Sequence, residues 1–176
     1  MLAKRLIQDD EEQLENKKIG VILGKAETEE NVNRIAGLKD GLEGSGCEIS
    51  WEYNYARGNQ NTSEIIASKK QVDYLVILDN WALEEVGEAA EENKYHGAKI
   101  YGVGSSEKAI VLLDNQNIEC LVVPDDYETG YMSMNEIAKK LRHSFYKMNS
   151  CETEVRIINK EDLYSKDLER FLYSYE

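Results

Sequence analysis

The sequence predicts an α/β fold: three layers, α/β/α, around a mostly parallel sheet of about six strands. Three observations carry that expectation. Short β-branched runs recur at 19–23, 47–53, 74–78, 99–103, 118–123 and 155–158, each bounded by Gly, Asp, Asn or Ser. Segments with helical spacing lie between them, and strand alternating with helix is the pattern of a parallel sheet covered on both faces. The strand runs are nearly continuous in apolar residues, as they must be when neither face meets water.

Each element has its own local signal. Residues 1–7 read as the start of a helix, without the long apolar core of a signal peptide. Thr28 is an N-cap for a helix that places Val32, Ile35, Leu38 and Leu42 on one face and ends at Gly44 and Gly46. Asn61-Thr62-Ser63 opens a helix through Ile65, Ile66 and Ala67. Asn80 opens one through Leu83, Val86 and Ala90. Ser105-Ser106 opens a short one through Ala109, Leu112 and Leu113. Asp125-Asp126 opens a long helix, expected over 125–148, and Asn159 caps the last one, expected over 160–171. With one proline, no repeat and no Ser/Gly-rich linker, residues 1–176 read as a single α/β domain.

Composition excludes several functions. Acidic side chains outnumber basic ones 34 to 21, a net charge of -13, which argues against direct nucleic-acid contact and against docking on an anionic membrane. No apolar run reaches the length of a membrane span. Cys47, Cys120 and Cys151 are odd in number and widely spaced, so they form neither a disulfide framework nor a zinc pattern. Cys120 reads as a small buried hydrophobe, and free thiols favour a reducing compartment weakly.

Open α/β sheets bind ligands at the carboxyl ends of their strands. Those ends are Gly24-Lys25-Ala26, Tyr53-Asn54-Tyr55, Asp79-Asn80-Trp81, Gly104-Ser105-Ser106 and Pro124-Asp125-Asp126. Gly20, Gly24 and Lys25 fit neither the dinucleotide fingerprint nor a phosphate loop. His96 and His143 read as surface residues with no ligand partner at metal spacing, and Asp125-Asp126 reads as a helix cap. No catalytic constellation and no cofactor or metal site emerges. Arg34 lies in the first turns of its helix, where its guanidinium can hold vicinal hydroxyls or a carboxylate, or simply pair with Glu30 at i,i+4. Trp51, Tyr53 and Tyr55 form an aromatic group suited to the C–H faces of a sugar, or to a rim of the core. Asp79 and Asn80 offer polar groups at the cleft, or an Asx cap.

In order and spacing, several stretches resemble the second lobe of type I periplasmic-binding-protein-like proteins, the class of sugar-binding ABC-importer subunits and LacI-type effector domains. They are the helical entry at 1–7, the strand at 18–24, and Asn31-Val32-Asn33-Arg34-Ile35-Ala36-Gly37-Leu38. Further along come 73–83 with Asp79-Asn80, 100–104, 118–123, and Tyr127-Glu128-Thr129-Gly130. The resemblance runs from Met1 to about Phe171. It implies that Arg34 holds ligand hydroxyls, that Asp79 and the adjoining Asn80 stand at the polar strand end, and that Tyr55 lies near the aromatic flanking the ligand. Two positions depart from the pattern: Gly104 stands where many members have Asp, and Pro124 where Gln or Asn is common.

For function, the resemblance implies non-catalytic recognition of a sugar-like solute within an ABC-importer subunit. The partners would be the solute and a membrane permease, and the location extracytoplasmic. A LacI-type effector lobe, cytoplasmic, is the alternative, and an interaction domain that has lost its ligand is a third reading. An enzyme of doubly wound type would need a phosphate loop or nucleophile. The resemblance also implies a first lobe of roughly a hundred residues before Met1, so the chain is expected to be half of a two-lobed protein. The helix at 125–148 would pack on that lobe. Its Met134, Ile137, Leu141, Phe145 and Met148 form an apolar stripe that, uncovered, is expected to drive a homodimer.

Overall fold

Strands β1 (Lys18–Leu23), β2 (Glu48–Asn54), β3 (Tyr74–Ile77), β4 (Lys99–Val103), β5 (Cys120–Pro124) and β6 (Val155–Ile158) form one sheet in the order β2-β1-β3-β4-β5-β6. The first five are parallel and β6 runs antiparallel to β5. The computed structural model describes residues 1–10, 14–24, 28–58, 61–90 and 94–173. Among the described residues seven α-helices accompany the sheet: α1 (Leu2–Asp9), α2 (Glu29–Leu42), α3 (Thr62–Ala67), α4 (Asn80–Ala90), α5 (Glu107–Asp114), α6 (Asp126–Arg142) and α7 (Glu169–Leu172). A 3-10 helix spans Lys160–Tyr164.

Neighbouring residues on the central strands serve different cores, because strand side chains alternate faces. Val21 and Val76 join Leu2, Leu6, Leu38 and Leu42 beneath α1 and α2. Ile22 and Ile77 join Leu83, Val86, Leu113 and Phe171 beneath α3, α4, α5 and the tail. The three-layer expectation therefore holds. The chain leaves β1 outward to β2 over α2 and returns over α3, and right-handed crossovers in opposite directions put those helices on opposite faces. The order turns between β1 and β3, the point at which sheets of this kind bind ligands in the crevice beyond their carboxyl ends.

Local details differ from the sequence expectation in four places. In α2, Leu38 and Leu42 are buried and Ile35 packs against the core, but Val32 faces solvent and Asn31 is buried in its stead. The first turn of α2 lies beyond the sheet, beside polar groups at the end of β1 and β3. Asp79, not Asn80, caps α4: its Oδ1 accepts the Ala82 N–H at 3.0 Å, and Asn80 is the first helical residue. The tail is broken into the 3-10 helix and α7, yet Leu163, Phe171 and Leu172 are buried against the sheet.

The long helix ends at Arg142, short of 148, so His143 is its C-cap and Phe145 and Met148 lie beyond it. Side chains of α6 itself draw the chain out of helical conformation. Glu136 accepts the Asn149 backbone N–H at 2.9 Å and the Tyr146 hydroxyl. The Lys140 ammonium donates to the Ser144 and Tyr146 carbonyls. Those bonds fold 143–149 back on the helix.

Candidate functional site

The five parallel strands end along one edge of the sheet, where the order turns between β1 and β3. Of the first of these ends, Lys25 and Ala26 lie outside the described residues. Gly24 has a spatial reason to be glycine: a Cβ there would sit 2.7 Å from Asp79 Oδ2 and 2.9 Å from Asn31 Nδ2. Asp79 thus stands at the turning point of the sheet, with one oxygen capping α4 and the other towards Gly24 and the Asn31 amide. Gly20 is different. It leaves room for the Trp51 indole on the neighbouring strand, at mid-sheet.

Arg34 reaches the same place from α2. Its Nη1 donates to the Leu78 carbonyl at 2.7 Å, just past β3, and its Nη2 pairs with Glu30. The i,i+4 pair is present, but the backbone bond fixes the guanidinium at the crevice as well. A guanidinium held by a carbonyl keeps the rest of its fork for a ligand. A cavity of about 300 Å³ opens beside it, lined largely by apolar groups including Leu38, Leu78, Val103, Val122 and Pro124.

Tyr55 follows β2, and its N–H bonds the Leu23 carbonyl at 2.7 Å. The residue is buried. Burial, and after it Glu85 and Asp79, push its phenol above the usual tyrosine range, so it stays protonated at neutral pH. Glu85 also accepts the Thr62 N–H, which joins the first turn of α3 to α4. Trp51 and Tyr53 share the face of Tyr55 but lie further from the crevice, with the Lys69 ammonium over both rings. Of the three aromatics, only Tyr55 reaches the carboxyl edge.

Asn80 donates its Nδ2 to Glu84 at 2.9 Å, while its Oδ1 is buried without a partner directly over Gly104. A side chain at 104 would collide with that amide, so Gly104 and Asn80 occupy one space between them. Pro124 ends β5 opposite Val155, and Asp125 caps α6 through the Glu128 N–H at 2.8 Å. Ser105 donates to Asp126 at 2.7 Å across the same edge.

Sequence reasoning missed two residues here. Asn31 was hidden in a helix read for its apolar positions. Arg57 sits in the turn after Tyr55, where its guanidinium lies 3.7 Å from the centroid of the Trp81 ring. The Ala-Arg-Gly turn directly after a strand was the available signal for it. Among the described residues no cluster of His, Cys, Asp or Glu could hold a metal ion. Cys120 is fully buried, and burial pushes its thiol up to about 12, which leaves it protonated and inert.

The arrangement offers fixed hydrogen-bonding groups around a crevice. That is the equipment of recognition. The profile of the periplasmic binding protein domain matches residues 1–144. The chain belongs to that family. No curated protein sequence matches it.

Solved structures share the fold at low identity. A carbohydrate transporter solute-binding protein from Agrobacterium radiobacter, in complex with D-arabinose, superimposes with a TM-score of 0.79 at 19% identity over 98% of this chain and 60% of its own. An ABC transporter solute-binding protein from Agrobacterium vitis with bound D-fucose gives 0.79 at 17%, over 98% and 60%. GanP, a glucose-galactose binding protein from Geobacillus stearothermophilus, gives 0.75 at 18%, over 92% and 59%. The chain thus spans about 60% of the length of these structures.

Proposed function

We propose that this chain is the lobe of a sugar-binding ABC-importer subunit that meets the solute at the carboxyl edge of its sheet, outside the cytoplasm and beside a membrane permease. The observation that carries the reading is Arg34, fixed between Glu30 and the Leu78 carbonyl at the turning point of the sheet. Its fork matches the hydroxyl pairs of a sugar, and Asp79 stands next to it as an acceptor. The family membership and the solutes named for the similar structures support the same class of ligand.

Solute recognition of this kind needs no bond-breaking residue. One lobe supplies one wall of a cleft, and a second wall closing over the solute supplies the remaining contacts. The chain alone therefore binds weakly, in the millimolar range by the arithmetic of half a contact set. In this reading the outward face of α6, with Met134, Ile137 and Leu141 exposed, is the seat of the other lobe.

A melting-temperature screen against sugars, nucleosides and amino acids tests the reading, since a ligand that binds only the folded state raises the melting temperature by mass action. A sugar is expected to raise it, and Arg34→Ala to abolish the rise. Stabilisation by a nucleoside or amino acid, with no response to any sugar, would overturn it.

A further inference from the structure

We infer that the crevice selects a sugar carrying an anionic group, with Arg57 as the residue that reads the charge. The inference rests on the proposed sugar-binding reading of the same site and narrows its ligand class. Its first support is how the other described arginines with a charged partner are used. Arg5 faces Asp9, Arg34 faces Glu30 and Arg156 faces Glu154. Three of the described arginines thus face a carboxylate. Arg57 faces none among the described residues, and its contact is the Trp81 ring.

The second support is immobilisation. An exposed arginine without a carboxylate normally samples many rotamers. Here stacking at 3.7 Å on an indole holds the guanidinium plane, and stacking leaves its in-plane N–H donors unused. Trp81 is itself anchored, in the first turn of α4 two residues past the Asp79 cap.

The third support is position. Arg57 lies in the turn after β2 and stacks on Trp81 in the first turn of α4, which places it at the carboxyl edge of the sheet. Among the described residues, five acidic groups near this edge each accept a hydrogen bond from within the chain. Asp79 caps α4, Asp125 caps α6, Asp126 accepts from Ser105, Glu84 accepts from Asn80, and Glu85 accepts from Thr62. Residue 104 is glycine, and Asn80 fills the space a carboxylate there would need. Hydroxyls then lie towards Arg34 and Asp79, and the anionic group towards Arg57.

Calorimetry or amide NMR titration of the full chain tests this with matched pairs: glucose against glucuronate, galactose against galacturonate, and glucose against glucose 6-phosphate. The acid of a pair is expected to bind about tenfold more tightly than the neutral sugar, as a charge-assisted hydrogen bond gives. Arg57→Gln, at an exposed site, should erase that preference. Added salt should weaken the acid only. The uronate and phosphate arms separate a carboxylate reader from a phosphate reader. A neutral sugar binding as tightly as its acid, or an acid preference surviving in Arg57→Gln, overturns the inference and leaves the sugar reading standing. No response to any member of the panel overturns both.

Discussion

Helices α4 and α6 carry similar apolar spacing and meet opposite fates. In α4, Ala82, Leu83, Val86 and Gly87 are buried. Leu83 fits over Gly102 and Gly104, and Gly87 lies so near Leu112 that a Cβ would come within 2.7 Å of it. In α6 the buried residue is Glu136, while Tyr131, Met134, Ile137 and Leu141 face solvent. The difference teaches that periodicity announces a helix but not the surface it covers. What separates the two is the partner. For α4 it is β3, β4 and α5 of this same chain, and for α6 this chain supplies little.

Substitutions can break or sharpen that contrast. The largest effect is expected for Leu83→Ala, about 3 kcal/mol of lost stability in chemical denaturation, from the cavity left between α4 and the sheet. Gly102→Ala should follow, at about 1–3 kcal/mol, because the new methyl would press on Leu83. Asp79→Ala removes the α4 cap and should lose about 1 kcal/mol, and Asp79→Asn should restore most of it, since an amide oxygen can accept the same N–H. Leu141→Ala in α6 should change stability by less than about 0.5 kcal/mol. The α6 face should show itself instead in association. Sedimentation is expected to find concentration-dependent self-association that Ile137→Glu abolishes, and a monomer at high concentration would mean that the stripe does not drive contact.

Glu136 gives the contrast a pH signature. The Asn149 N–H, the Lys139 ammonium and the Tyr146 hydroxyl hold its carboxyl down to about 2, well below the usual 4.5. A carboxylate depressed on folding stabilises above its unfolded value and loses that contribution as pH falls towards the folded one. The turn at 143–149 is therefore expected to stay docked at neutral pH. It should loosen as pH drops from about 4.5 towards 2, read as the chemical shift of the Asn149 amide. A midpoint near the usual carboxylate value would contradict those bonds.

Much of the fold was legible because its signals are local. All six strands could be read from β-branched runs, and Thr28, Ser106 and Asp125 cap helices as their residue types suggest. The end of α6 was not legible. The stripe continues in sequence through Phe145 and Met148, while the bonds from Glu136 and Lys140 that end the helix connect residues whose meeting depends on the turn itself. At the crevice, Arg34, Tyr55, Asp79 and Asn80 do lie around one edge of the sheet. Their uses differ, since Asp79 caps α4 and Asn80 is turned towards Glu84 and Gly104. The stack of Arg57 on Trp81, 24 positions away, leaves no trace in spacing, so the Ala-Arg-Gly turn after β2 was its one local sign.

The most direct test of the account is an amide NMR map of the chain titrated with sugars at millimolar concentration. The account predicts shifts gathered at Asn31, Arg34, Tyr55, Asp79 and Trp81, and their loss in Arg34→Ala. Shifts confined to the opposite, amino-terminal end of the sheet, around Asp9, Lys99 and Glu119, would contradict it, as would a spectrum that no sugar moves.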